Sequence, residues 1–215
     1  MRKLSPSESR RMMKKYGIPL VNEKTVKTKK AMNKLPKEMK YPVVLKIDSP
    51  DIIHKTEAKC VFTDIRNDKE LASSSEKILK NAKKYNPKAR ITGFLVQEHF
   101  SGYETIVGGK IDEQFGPIVL FGAGGIFTEL LGDTSIRICP FSRKDAEEMI
   151  DEIKFSRVLK GFRGEEPADR NKILDVIMSV ERLMRKEKIT ELDINPLMVS
   201  GDGVRAVDVR IIKQG

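Results

Sequence analysis

Residues 191–209, near the C-terminus, constrain the fold more tightly than any other part of this sequence. They read ELDINPLMVS, then GDG, then VRAVDV. Two largely alternating apolar runs separated by a short glycine-rich turn are typical of a β-hairpin. We therefore predict two antiparallel strands joined by a two-residue turn at Gly201 and Asp202.

A two-residue turn also determines which side chains face each other across the hairpin. Asn195 then lies opposite Asp208, and Asp193 lies opposite Arg210, so that three oxygen-bearing side chains share one face. Directly opposed residues hold their Cβ atoms about 4.5 to 5.5 Å apart. A Mg²⁺ ion, which binds oxygen at about 2.0 to 2.1 Å, bridges such a gap. The register thus predicts a metal site on this face.

Composition indicates a globular protein. A chain of 215 residues, 39% hydrophobic and 33% charged, is long enough to bury a core, either as one domain or as two small lobes. No apolar run approaches the length of a membrane span, and the charged N-terminal sequence lacks the apolar centre of a signal peptide. We expect a cytoplasmic protein with no membrane segment. Cys60 and Cys139 do not have the spacing of zinc ligands and are expected to be buried free thiols.

The net charge of +10 raises the question of nucleic-acid binding. Residues 1–40 hold 13 Lys or Arg against three Glu, while residues 41–215 hold 28 of each sign. The basic segment has one Tyr and no recognition motif, which argues against a nucleic-acid partner. A solvated lysine-rich face, an acidic partner subunit and the phosphates of a nucleotide all fit this segment.

Helices and strands alternate along the whole chain. The residues SPSE at positions 5–8 form a capping box, which predicts a helix that runs to Tyr16 and stops at Gly17. Further helices are predicted over residues 25–35, 69–85, 143–150 and 170–186, and strands over residues 41–47, 61–65, 92–98, 103–110 and 117–121. This alternation favours an α+β or α/β protein with two lobes, residues 1–92 and residues 93–215.

Three local features point to a bound nucleotide. Lys46 interrupts an apolar strand, where a charge requires a partner such as a phosphate, although a solubilising lysine at a strand end also fits. Gln97 and Glu98 end a strand whose backbone can hold an adenine edge, and Glu104 follows with a carboxylate suited to ribose hydroxyls. Residues 121–129 read FGAGGIFTE, a glycine-rich turn that allows close backbone approach to a phosphate or acyl group or serves as a plain loop.

These motifs together resemble the ATP-grasp domain of ADP-forming acyl-CoA synthetases, specifically the separate β subunit of the acetate–CoA ligase type. The resemblance covers nearly the whole chain and is carried by YGIP (16–19), YPVVLKIDSPDIIHK (41–55), LVQE with GYE (95–104), FGPIVLFGAGGIFTE (115–129), LKGFRG (159–164) and ELDINPL (191–197). It implies an α+β ATP-grasp fold whose two lobes hold ATP or ADP between them.

The resemblance also assigns roles to nucleotide-binding residues. Lys46 is similar to the lysine that contacts nucleotide phosphates. Gln97 and Glu98 are similar to the hinge over the adenine, and Glu104 is similar to the ribose-binding acid.

The resemblance assigns the metal and phosphoryl-transfer residues as well. Asn195 and Asp208 match the family's Mg²⁺ ligands, which agrees with the register argument. Asp193 is similar to the acidic residue that faces the phosphohistidine region. His54, in the SPDIIHK loop, matches a candidate second phosphoryl carrier.

One segment departs from the family pattern. After the histidine the family shows an Asp-Val-Gly-Gly-Val run, whereas this chain reads EAKCV at residues 57–61. Lys59 and Cys60 replace two glycines that would bring backbone N–H groups close to phosphate oxygens. Either the charge of Lys59 substitutes for those contacts, or the phosphate loop is inactive.

The resemblance implies a nucleotide-binding β subunit that transfers phosphate between a phosphohistidine and ADP, so that acyl-CoA, ADP and phosphate give the free acid, CoA and ATP. The partner would be a CoA-binding α subunit, in a hetero-oligomer expected to be α2β2. The alternative is a non-catalytic nucleotide-sensing module, favoured by the altered loop at Lys59.

Overall fold

The computed structural model describes residues 1–27, 35–37, 39–52, 54–125, 132–161, 164 and 166–214. Its internal contacts divide the chain into two units: a larger one of Met1–Leu20 with Phe100–Gly215, and a smaller one of Val21–His99. Each unit has its own antiparallel sheet and its own hydrophobic core.

The described elements are, in chain order, β1 (Arg2–Lys3), α1 (Pro6–Lys15), β2 (Glu23–Val26), β3 (Val43–Asp48), β4 (Val61–Ile65), α2 (Asp68–Tyr85), β5 (Gly93–Glu98), β6 (Tyr103–Asp112), β7 (Gly116–Ala123), β8 (Thr134–Ile138), α3 (Arg143–Glu152), α4 (Ser156–Leu159), α5 (Arg170–Lys186), β9 (Ile189–Ser200), β10 (Gly203–Ala206) and β11 (Val209–Lys213).

The larger unit is a sheet with helices packed on it. Its described strands run in the order β1-β11-β9-β6-β7-β8, and β10 also pairs with β9. Helix α5 buries a stripe at helical spacing that includes Ile173, Ile177 and Val180 against the sheet residues of the same core. The Asp169 side chain caps this helix by accepting the Lys172 N–H. One face of the sheet is thereby packed against helices, and we call the opposite face its open face.

The smaller unit is a four-stranded sheet in the order β2-β5-β3-β4. Val43, Leu45 and Ile47 of β3 point to one side and are fully buried with Leu71 and Ile78 of α2. The alternate residues of β3 are only half-buried, so this sheet also has one core face and one more open face.

Most of the predicted elements are confirmed. The capping box of α1 is present, with Ser5 and Glu8 as its partners, and Gly17 follows the helix with φ of +72°. The predicted strand at 61–65 and helix at 170–186 have the observed bounds. Cys60 and Cys139 are free and buried, and burial raises the pKa of both thiols, that of Cys139 to about 11.

The helix predicted over residues 25–35 is wrong where the structure describes it. Thr25 and Val26 lie in strand β2, because they pair with Leu95 and Phe94 of β5 and complete the edge of the smaller sheet. Residues 28–34 lie outside the described residues. The short strands β1 and β8 and the single turn α4 were not predicted.

The observed units also differ from the predicted division at residues 92 and 93. Strand β5 pairs with β2 and β3, which places it in the smaller unit. The N-terminal segment belongs to the larger unit because β1 pairs with β11 and the Leu4 N–H donates to the Ile211 carbonyl at 2.9 Å. In the described part of the chain, no helix is both long enough and apolar enough to cross a membrane.

Candidate functional site

The hairpin has the predicted register. Gly203 pairs with Ser200, so Gly201 and Asp202 form the two-residue turn, and Arg210 pairs with Asp193. Two residues further along β9, the Asn195 N–H donates to the Asp208 carbonyl at 3.1 Å. The backbone therefore holds residues 195 and 208 directly opposite each other.

Asn195 lies on the open face of the larger sheet, as strand alternation from Asp193 predicts, and a β-bulge interrupts the alternation directly after Ile194. Ile194 pairs with Val107 and Leu197 pairs with Thr105, so two residues of β9 stand against one residue of β6. Ile194 and Leu197 are both fully buried, while Asn195 between them is exposed. Asp208 is also exposed and Asp193 is half-buried. By alternation alone Leu197 would share the open face with Asp193 and Asn195, so the bulge is what returns Leu197 to the core.

The electrostatics of this face suit a cation. Burial raises the pKa of Asp193, the carboxylates of Asp208 and Glu191 raise it further, and Arg210 lowers it. A hard cation near these oxygens would relieve the repulsion among the carboxylates. Among the described residues no group of three His, Cys, Asp or Glu is arranged for a metal ion. A metal held by Asn195 and Asp208 would therefore take its other oxygens from a ligand or water, as Mg²⁺ commonly does.

Glu104 lies on the same open face, one strand away from the hairpin. It pairs with Met198, which in turn pairs with Arg205, so these three side chains form a row across β6, β9 and β10. The Arg205 guanidinium lies 5.2 Å from the centre of the Phe100 ring. Sequence reasoning did not single out Met198 and Arg205, although the predicted hairpin register already places them opposite each other.

The glycine-rich turn after β7 packs on Glu104. The Gly124 N–H donates to the Glu104 carbonyl at 2.8 Å. A Cβ on Gly124 would lie 2.7 Å from the Glu104 carbonyl carbon, and one on Gly125, where φ is +62°, would lie 2.8 Å from a Glu104 carboxylate oxygen. The contact with the Glu104 backbone thus requires glycine at position 124, and the positive φ favours glycine at position 125. The rest of the turn, residues 126–129, is outside the described residues.

The smaller unit carries the remaining predicted nucleotide residues. Lys46 is half-buried in β3, opposite Leu95 and Val61. Gln97 pairs with Val44, two residues from Lys46, so the two polar side chains belong to the same sheet face. The Gln97 amide donates to Glu23 at 2.8 Å, and Glu98 accepts a hydrogen bond of 2.8 Å from the Asn22 amide.

His54 lies in an exposed loop of the smaller unit. Its Nδ1 is 3.6 Å from the Glu57 carboxylate, and its carbonyl accepts the Ala58 N–H at 3.0 Å. Lys59 has φ of +52°, the left-handed conformation that glycine adopts without strain. The Asn81 amide donates to the Lys59 carbonyl at 2.7 Å. The loop therefore keeps a glycine-like backbone although the glycines are absent.

The predicted site residues are divided between the two units. The larger unit holds Glu104, Asp193, Asn195 and Asp208 on the open face of one sheet. The smaller unit holds Lys46, Gln97 and Glu98 on or next to its sheet, with His54 in a loop. Both sets contain the polar and charged groups that nucleotide binding needs.

Comparison with known proteins identifies relatives along the whole chain. An ATP-grasp domain model matches residues 1–212. The β subunit of the ADP-forming acetate–CoA ligase II of Pyrococcus furiosus is 44% identical over 97% of this chain and 90% of its own length. The 4-hydroxybutyrate–CoA ligase (ADP-forming) of Nitrosopumilus maritimus is 42% identical over 97% of this chain, which spans only 30% of that longer protein.

Solved structures of one enzyme match closely. Acetyl-coenzyme A synthetase 1 of Ca. Korarchaeum cryptofilum, in complex with coenzyme A and Ca-AMPCP, has a TM-score of 0.90 and 39% identity, covering 99% of this chain and 94% of that one. A second structure of the same enzyme, with coenzyme A and Mg-AMPPCP, has a TM-score of 0.81 and 37% identity, with 99% and 93% covered. In that structure the phosphohistidine segment points towards the nucleotide-binding site.

Proposed function

The chain belongs to the ATP-grasp family of ADP-forming acid–CoA ligases, and from this membership we propose that it is the nucleotide-binding β subunit of such a ligase. It transfers a phosphoryl group between a phosphohistidine and ADP, in a net reaction that gives free acid, CoA and ATP from acyl-CoA, ADP and phosphate. The observation that carries the proposal is the hairpin register, which sets Asn195 opposite Asp208 on an exposed sheet face.

In this proposal the larger unit holds the metal and the residue that faces the phosphohistidine. Asn195 and Asp208 hold Mg²⁺, which would neutralise charge on the nucleotide phosphates when bound. Asp193, two residues along β9, faces the incoming phosphohistidine and orients its ring by accepting the imidazole N–H. Burial and then the carboxylates of Asp208 and Glu191 raise its pKa, and a cationic or N–H donor ligand would favour its charged form.

The remaining residues hold the nucleotide itself. Lys46 contacts the phosphates, the backbone at Gln97 and Glu98 contacts the adenine edge, and Glu104 accepts the ribose hydroxyls. The hydrogen bonds of the side chains of Gln97 and Glu98 to Glu23 and Asn22 support this assignment, because they hold the end of β5 in place.

A partner completes the reaction. The relatives of similar length are named as β subunits, and the longer relatives carry this domain within a larger chain. We assign the CoA-binding role to an α subunit, in an α2β2 assembly.

The metal pair is tested by calorimetric titration of ADP into the isolated chain, with and without Mg²⁺. Asp208→Ala is expected to weaken Mg²⁺-dependent binding at least tenfold, because one of two protein ligands is lost. Asp202→Ala is the matched control, since this exposed carboxylate lies in the turn of the same hairpin. Equal affinities for wild type and Asp208→Ala would refute the assignment of the metal.

The second candidate function is a nucleotide-sensing module without catalysis, favoured by Lys59 and Cys60 in place of two glycines. The two candidates differ in whether His54 carries phosphate. Incubation with ³²P-labelled ATP and Mg²⁺ is expected to give acid-labile label on the wild type and none on His54→Ala, with His99→Ala as the control. Absence of label from the wild type would favour the sensing module.

A further inference from the structure

An exposed apolar strip lies on the open face of the larger sheet. It consists of Ile118 and Leu120 in β7 and Ile136 and Ile138 in β8, which we call the β7–β8 strip. Ile136 and Ile138 are each 49% exposed, and Ile118 and Leu120 are half-buried. The alternate residues Val119 and Phe121 are fully buried in the core, so the strip lies on the side of the sheet that faces away from the core.

The strip is continuous with Asp193, the residue proposed to face the phosphohistidine. One row of paired residues runs from Asp193 through Gly108 and Leu120 to Ile136. The adjacent row runs from Glu191 through Lys110 and Ile118 to Ile138. Because neighbouring strands lie about 4.8 Å apart, Ile136 is about 14 Å from Asp193 along the sheet.

We propose that the β7–β8 strip is a docking surface for the CoA-binding partner subunit. The inference rests on the proposed function, in which the partner's phosphohistidine segment reaches Asp193. A stable interface takes about 800 Å² from each partner, which corresponds to a patch with a radius of about 16 Å. A partner seated on the strip therefore reaches Asp193 near the margin of its patch.

The composition of the strip and its surroundings fits an interface of this kind. Four aliphatic side chains form its centre, and Lys110, Glu191 and Arg210 lie along its charged side. Exposed apolar patches with a polar rim mark protein–protein sites. Strand β8 is also the edge of the described sheet, so pairing with β8 of a second copy is the competing occupant.

The test is the affinity of the full chain for the recombinant CoA-binding subunit of the same organism, measured by calorimetry. The variant Ile136→Glu/Ile138→Glu introduces charge, and Ile136→Thr/Ile138→Thr keeps the β-branched shape in case the first variant folds poorly. Tyr85→Glu is the matched control, because Tyr85 is 48% exposed and lies in the smaller unit. ADP binding by each chain alone is measured in parallel.

We expect the Glu pair to weaken partner binding at least thirtyfold and the Thr pair about tenfold, as for residues at the centre of an interface. Tyr85→Glu should stay within twofold of wild type. Unchanged partner affinity in the Glu pair would overturn the inference, as would a wild-type chain that binds ADP but not the partner. A wild-type homodimer that the Glu pair dissociates, with partner affinity retained, would assign the strip to a second copy instead. The proposed function is judged separately by ADP binding of the wild type.

Discussion

At the scale of single residues, the charged form of Asp193 costs folding free energy. Its pKa is raised by burial, then by Asp208 and Glu191. The Asp193 carboxyl therefore binds a proton more readily in the folded state than in the unfolded chain, where the pKa of an aspartate is about 3.9. Stability is then lost as pH rises from about 3.9 through the raised folded pKa.

Because the pKa of Asp193 is raised in the folded state, Asp193→Asn is expected to stabilise the chain at pH 7. The same variant is expected to lower phosphoryl transfer, because the proposed function gives Asp193 the role of orienting the phosphohistidine. The stabilisation should disappear at about pH 3, where the carboxyl is protonated in both states. Urea unfolding at the two pH values measures the effect, with Asp202→Asn in the exposed turn as a control that changes stability at neither pH. Destabilisation by Asp193→Asn at pH 7 would contradict this account of the site.

Lys59 permits a second prediction at this scale. A non-glycine residue in the left-handed region costs roughly 1 to 2 kcal/mol, whereas glycine costs roughly 0.5 to 1 kcal/mol of chain entropy. Lys59→Gly is therefore expected to leave stability unchanged or to raise it by up to about 1.5 kcal/mol. Lys55→Gly, in the same loop but without a positive φ, should destabilise by about 0.5 to 1 kcal/mol. Thermal unfolding of the two variants tests whether the loop keeps its glycine-like backbone, and equal losses would show that it does not.

At the scale of elements, the contact between β6 and the turn after β7 depends on glycine. Gly124→Ala would place a methyl group 2.7 Å from the Glu104 carbonyl carbon, and we expect a loss of about 1 to 3 kcal/mol in stability from this overpacking. ADP affinity should fall as well, because the turn then moves away from Glu104. Gly108→Ala is the control within β6, since its Cβ would lie 3.6 Å from the nearest atom. Equal unfolding midpoints in urea for the two variants would refute the close packing.

The elements that were predicted correctly are those specified by residues close together in the sequence. The α1 capping box and the hairpin turn depend on residues only a few positions apart, and both were found as predicted. Strand β2 was predicted as a helix because its strand character comes from pairing with β5, about 70 residues later. The bulge at Asn195 likewise depends on the register of β6. The sequence therefore indicated which residues of the hairpin face one another and that Asn195 shares a face with Asp193, while the burial of Leu197 required the neighbouring strand.

At the scale of the whole molecule, the larger unit is assembled from both ends of the chain. Arg2 pairs with Lys213, a contact that no local pattern predicts. Helix α1 is further held by Lys15 and Tyr16, whose side chains both donate to the Glu187 carboxylate, at 2.7 and 3.2 Å. Lys213 donates to the same carboxylate at 3.0 Å. The hydrogen bonds from Lys15 and Lys213 lower the pKa of Glu187 to about 2. This ion-pair contribution to stability is present above the unfolded glutamate pKa of about 4.3 and is lost as pH falls towards 2.

The family membership leads to a prediction about assembly. Relatives that this chain covers to 90% or 92% of their length are named as subunits, whereas the Nitrosopumilus ligase is covered to only 30%. We therefore expect this chain alone to form no ATP from acetyl-CoA, ADP and phosphate, and the mixture with its CoA-binding subunit to form ATP at a rate that saturates at equimolar subunits. A luciferase assay during titration of one subunit with the other measures both.

When the Asp208→Ala variant replaces the wild-type chain in the mixture, ATP formation should be abolished while the complex still forms, because Asp208 is assigned to the metal and not to the interface. ATP formation by the chain alone would show that the acyl-transfer centre lies within these 215 residues and would overturn the assignment as a β subunit.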